Sequence, residues 1–176
     1  MNRRKQCYSF LTKQNQEKRL DMHVYFDMDG TIADFYGVDG WLDAIQAEDT
    51  RPYECAATLG NIERLAALCA AYGATVGVIS WLARGSSASY DKAVRRAKKK
   101  WLADNFPWAT EVHIIKHGSP KQFAAKAKTD AVLVDDECRN CEKWVDESKG
   151  YYAIQADNIR QVERDLAEVL RHYSRE

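Results

Sequence analysis

Apolar residues along this chain come in short runs, and four of those runs stop abruptly at residues suited to chemistry. Val24-Tyr-Phe26 ends in Asp27-Met-Asp29-Gly30, and the run 74–79 ends in Ser80. The run 112–115 leads into the loop Lys116-His-Gly-Ser-Pro-Lys121, and the run 131–134 ends in Asp135-Asp136-Glu137. Such short runs have the length of strands. The fourth is apolar throughout, as expected where helices cover both faces of a strand. A fifth strand is expected near 151–155.

Between the runs, apolar residues recur at helical spacing. Val38, Trp41, Leu42 and Ile45 predict a short helix within 37–49, stopped by Arg51-Pro52. Leu59, Ile62, Leu65, Ala66, Leu68 and Cys69 predict an amphipathic helix over 56–72, ended by Gly73. A basic helix is expected over 90–105. There Lys92, Arg95, Arg96, Lys98, Lys99 and Lys100 surround a stripe of Ala93, Val94, Ala97, Trp101 and Leu102, and the charges read mainly as a solvated outer face. Pro120 suits the first position of a helix over 121–126, whose amino end would place Lys121 at an anion site. Two more helices are expected, from the acidic pair to about 148 and over 158–173. Strands alternating with helices imply right-handed crossovers, hence an α/β fold with a doubly wound parallel sheet. Residues 35–72 are too few for a second domain and read as a small helical cap on the α/β domain 22–176. Residues 1–21 read as a polar, basic arm.

The 176 residues suffice for one domain with a substantial core. Basic and acidic residues balance at 26 each, so no overall field favours nucleic acid or an anionic membrane, and any attraction for phosphate must be local. Five cysteines, an odd number without a regular framework, point to a reducing compartment. Cys138-Arg-Asn-Cys141 has no second Cys/His pair at zinc spacing and is expected to pack. No run approaches the roughly 20 apolar residues that span a bilayer, and the amino terminus lacks a signal-like apolar segment. A cytoplasmic protein is the expectation.

Asp27 and Asp29 at the carboxyl end of a strand have the geometry of a site, since Gly30 lets the chain bend there and open α/β sheets bind ligands at that edge. A calcium loop is disfavoured because Ile32, Ala33 and Phe35 interrupt the required series of oxygen ligands. Four acids brought to one edge would repel one another unless a cation held them. Mg²⁺ suits such a set, because it prefers oxygen ligands and is bound through a few carboxylates plus substrate phosphate. The alternative is a buried structural cluster without metal.

Asp27-Met-Asp29-Gly30-Thr31, a strand-terminal Ser80, a lysine and the pair Asp135-Asp136 occur in the order found in the haloacid dehalogenase superfamily of phosphatases, which the chain resembles over about 22–157. The wording from Asp27 to Phe35, the small early insertion and Lys99-Lys-Trp-Leu102 look most like its 5′(3′)-deoxyribonucleotidase-like branch. The resemblance implies the strand order 5-4-1-2-3 and an aspartyl-phosphate mechanism. Asp27 would be the nucleophile and a metal ligand. Asp29 would be the general acid and base, with its main-chain carbonyl facing the metal. Asp136 would ligate the metal directly, Asp135 directly or through water, and Asn140 could support that shell. Phosphate would be held by Gly30, Thr31, Ser80, Trp81 and Lys121, with Lys116 the rival of Lys121. Arg84 and Lys92 are the other cations nearest Ser80 in the chain. Phe35, Tyr36 and Trp41 are candidates for the surface that covers the substrate, although Trp41 reads equally well as cap core.

The expected function is thus magnesium-dependent hydrolysis of phosphomonoesters, with nucleoside monophosphates as substrates. One alternative is a phosphatase or phosphotransferase for another small phosphometabolite, and the short cap disfavours the transferase. Another is a catalytically silent module binding a partner through the basic helix, which the intact Asp27 and Asp29 argue against. A response-regulator receiver has its acidic pair at the first strand and its phosphorylated Asp later, the reverse of the order here. The expected partner is a small phosphorylated molecule, with nucleic acid disfavoured.

Overall fold

The computed structural model describes residues 22–127 and 129–174; the arm expected at 1–21 lies outside the described residues. Strands β1 (His23–Phe26), β2 (Thr75–Trp81), β3 (Glu111–Ile115), β4 (Ala131–Asp135) and β5 (Tyr151–Gln155) form one parallel sheet in the order β3-β2-β1-β4-β5. This is the α/β architecture and the strand order expected from the sequence.

Side-chain alternation sorts the core into two faces. Val24 and Phe26 point to one, among Val76, Val78, Val132 and Val134, and this face is covered by α3 (Ile62–Ala71) and α6 (Ile159–Tyr173). Tyr25 points to the other, with Ile79, Leu133 and Trp144, the last supplied by α5 (Cys138–Trp144). The long helix α4 (Ala88–Asn105) contributes Trp101 and Leu102 to the first cluster. Its Tyr90, Val94 and Ala97 join Phe35 and Tyr53 in a third cluster that binds two short helices, α1 (Trp41–Gln46) and α2 (Arg51–Cys55), to the body.

Three expected elements differ. Arg51-Pro52 opens α2 rather than closing a helix, because a proline in the first turn gives up an N–H that would have had no intrahelical partner. Helix α3 begins at Ile62, capped by the Asn61 side chain, and not near 56. The preceding backbone is already paired with the loop after β1: Asp34 N donates to Ala57 O at 2.8 Å and Leu59 N to Ile32 O at 2.9 Å. Because Ile62, Leu65, Ala66 and Cys69 of α3 lie in the main core, the cover over the sheet edge consists of α1 and α2 and stops well short of residue 72. The helix expected over 121–126 is a single 3₁₀ turn, Lys121–Phe123, with Pro120 at its cap. Such a turn aligns too few peptides for a useful dipole, so the position of Lys121 must be explained by its contacts. Among the described residues no helix is long and apolar enough to cross a membrane.

Candidate active site

The parallel register brings the strand ends together. Phe26 is level with Val78 and Val134, so Asp27, just beyond β1, and Ser80 and Asp135, in the last residues of β2 and β4, arrive at one edge. Asp27 N still donates to Val134 O at 2.8 Å, which prolongs the sheet to the first acid. A tight turn follows. The Met28 carbonyl accepts from the N–H groups of Thr31, Ile32 and Ala33 at 3.3, 3.1 and 2.9 Å. Gly30 has φ 82°, and a Cβ there would stand 2.5 Å from Asp136 Oδ2. The glycine therefore lets the first loop approach the acidic pair, and its observed neighbour is a carboxylate.

One carboxylate oxygen from each of Asp27, Asp135 and Asp136 lies within 4.8 Å of the others. Asp135 is completely buried and thoroughly held. Lys121 Nζ is 2.5 Å from its Oδ2, Asn140 Nδ2 is 3.1 Å from both oxygens, and Glu137 N donates to Oδ1 at 2.9 Å. Asp136 receives the Thr31 hydroxyl at 3.3 Å, while its own N–H donates back to Thr31 Oγ1 at 3.1 Å. The hydroxyl of Thr31, expected on phosphate, is spent joining the two loops. Lys121 also lies 2.8 Å from Asp27 Oδ1, but off the hydrogen-bonding direction, so this buried oxygen has no aligned donor.

The electrostatics match that crowding. Burial, then the charges of Asp27 and Asp135, push the Asp136 carboxyl up to about 7. Burial and Asp27 also raise Asp135, against the pull of Lys121. For Lys121, burial acts to lower its pKa, yet Asp27 and Asp135 outweigh it and hold the ammonium above its ordinary value. Three convergent carboxylate oxygens, two of them on acids that resist ionisation, are what a hard divalent cation would satisfy.

A second lysine is the main residue that the sequence reading missed. Lys98 of α4 is completely buried; its Nζ donates to Asp29 Oδ2 at 2.5 Å, Ser80 Oγ at 2.9 Å and Trp81 O at 2.7 Å. Helical spacing carried the signal, since Lys98 is four residues after Val94 and three before Trp101, on the buried stripe. The surrounding cations disguised it as part of a solvated face. Burial raises the Asp29 carboxyl above the usual range; Lys98 opposes that rise and Asp27 adds to it.

Other expected site residues sort differently. Ser80 reaches the edge but is fully buried against Lys98. Trp81 donates its ring N–H to Ser119 O at 2.9 Å, bracing the loop that carries Lys121, and its ring lies 5.3 Å from Lys121 Nζ. Lys116 is exposed, as is Lys92. Phe35 is only 3 % exposed and stacked on Tyr53 at 4.8 Å, yet it is among the residues that line the cavity beside Asp27 and Asp29. Its half-exposed neighbour Tyr36 lines the cavity too, edge-on to Trp41 at 5.2 Å. Between this cover and the acids lies a cavity of about 370 Å³, lined by Asp27, Asp29, Asp136, Tyr36, Trp41, Arg84 and His117, among others. Cys138 and Cys141 are thiols, and Cys141 packs with its sulfur 3.5 Å from Asp135 O.

No family model matches the sequence, and no curated protein matches it. Among solved structures, a hydrolase from Streptococcus pneumoniae TIGR4 superposes with a TM-score of 0.53 at 11% identity, covering 84% of this chain and 98% of that one. A HAD family enzyme from Bacteroides thetaiotaomicron, in complex with magnesium and inorganic phosphate, superposes with a TM-score of 0.45 at 11% identity, covering 78% and 96%. With so little identity the kinship visible is one of architecture: this chain has the fold of the streptococcal hydrolase.

Proposed function

We propose that the protein is a magnesium-dependent phosphomonoester hydrolase of the haloacid dehalogenase type, acting on nucleoside monophosphates in a reducing, cytoplasmic compartment. The observation that carries this reading is the meeting of Asp27, Asp135, Asp136 and Lys121 at one end of a covered cavity. Asp27 attacks phosphorus and forms an aspartyl phosphate, which water then cleaves. Asp29, whose carboxyl is raised above the usual range by burial, gives a proton to the leaving oxygen and then takes one from the attacking water. Lys121, fixed between Asp27 and Asp135, neutralises charge on the nucleophile and on the transferring group. Asp27, Asp135 and Asp136 would hold the Mg²⁺, which when bound supplies positive charge for the phosphoryl oxygens.

The cavity bears on the substrate class. It has the size of a small-molecule site, too confined for a folded nucleic acid. Aromatic rings share its lining with the acids: Tyr36 and Trp41, and the Trp81–His117 pair, 4.9 Å between centroids. A flat base stacked there would leave its phosphate at the acids.

The test is phosphate release from a panel of ribo- and deoxyribonucleotides and simpler phosphomonoesters, with and without Mg²⁺. Turnover should require the metal, favour nucleotides and fall by at least about 10³-fold in Asp27→Asn. Failure of the wild type across the panel, or robust turnover by Asp27→Asn, would overturn the proposal.

A further inference from the structure

We infer that Lys98 is the positioning residue for proton transfer at this site, fixing the Asp29 carboxylate and the direction of the Ser80 hydroxyl through a single amine. The inference deepens the proposed phosphatase reading and rests on it for the role of Asp29.

Three observations carry it. A lysine amine has three N–H donors, and Lys98 spends them on acceptors from two elements other than its own, the loop after β1 and the end of β2. None remains for a substrate, so Lys98 acts through its neighbours. The second observation is how the two oxygens of Asp29 are divided. Oδ2 is held by Lys98, whereas Oδ1 is buried without a partner on a residue that lines the cavity. Pinning Oδ2 fixes the plane in which the carboxyl group meets the cavity. The third concerns Ser80, whose Oγ accepts from Lys98 and therefore has its own proton to donate elsewhere. Tyr53 of the cover lies with its ring 5.0 Å from the same amine and stacks on Phe35, so the cover is indexed to Asp29 through Lys98 as well.

Simple core stability is a poor account of such an arrangement. A buried ion pair is often no more stabilising than apolar residues of equal volume, and α4 already has Val94, Ala97, Trp101 and Leu102 with which to pack.

Lys98→Met keeps the apolar stem and removes the amine. The experiment compares kcat/KM of this variant and the wild type, with Mg²⁺, on an alkyl phosphate and on 4-nitrophenyl phosphate. An alkoxide needs a proton to leave and a nitrophenolate does not. The expected result is a loss of about 100-fold on the alkyl ester and less than about 5-fold on the nitrophenyl ester. Equal losses on both, or no loss on either, would overturn the inference.

A second measurement needs neither turnover nor a folded Lys98 variant. The ¹⁵N spectrum of the lysine side chains in the wild type should contain two exchange-protected ammonium signals, for Lys98 and Lys121, and Ser80→Ala should move one of them. A single protected signal, or two that both ignore Ser80→Ala, would refute the positioning role. If the wild type turns over nothing, the phosphatase reading fails by itself, and the ammonium signals still decide whether Lys98 holds its two partners.

Discussion

Asp135, which ends β4, and Asp136, which follows it, are unequally free. Asp135 has both oxygens committed to Lys121, Asn140 and Glu137 N, whereas Asp136 keeps most of its accepting capacity and is the more available ligand. Asn140 matters because a carboxylate buried beside Asp27 needs donors in order to stay ionised. Asn140→Leu removes the amide that touches both oxygens while leaving Lys121 in place. Its expected effect is a roughly 10-fold increase in the Mg²⁺ concentration needed for half-maximal activity, with kcat at saturating Mg²⁺ changing much less. A magnesium titration of turnover checks this, and an unchanged midpoint would mean that Asn140 merely packs.

Among the elements, β2 is constrained where it passes Tyr25. Gly77 pairs with Tyr25 in register, and a Cβ at Gly77 would stand 2.6 Å from the tyrosine ring. The ring has little room to retreat. Its hydroxyl donates to Glu111 at 2.9 Å and accepts from Lys126 N at 3.0 Å, and its edge meets Trp144 with centroids 5.8 Å apart. Tyr25 thereby ties β1 to β3 and to the segment after the Lys121 turn. Gly77→Ala should cost about 1–3 kcal/mol in urea or thermal unfolding, by overpacking a filled core. Wild-type stability in that variant would mean that the ring moves aside easily.

Over the whole molecule the acid cluster links stability to pH and to metal. Burial holds Asp29 and Asp135 above the usual carboxylate range and Asp136 up to about 7. The unfolded chain has the lower, ordinary values, so between those values and about 7 the folded state binds more protons. The contribution of these groups to stability is therefore greatest at low pH and declines as pH rises through that window. A divalent cation would offset the same repulsion and would compete with the same protons. The midpoint of thermal unfolding, measured with and without Mg²⁺, should gain more from the metal at about pH 8 than at about pH 5.5. A gain independent of pH would place the metal elsewhere.

The sequence by itself determined the alternation of strands and helices, and with it the edge where the acids and Lys121 gather. Apolar runs broken by Asp27, Ser80 and Asp135 are local features, and parallel pairing of such runs leaves their carboxyl ends side by side. Tertiary structure decided what local pattern does not encode. It committed 57–59 to the loop after β1, assigned α3 to the core, and turned Phe35 inward while leaving Tyr36 outside. Above all it selected Lys98 from a run of cations. Which charge is buried depends on the partner that waits across the interface, and Asp29 stands 69 residues away in the chain.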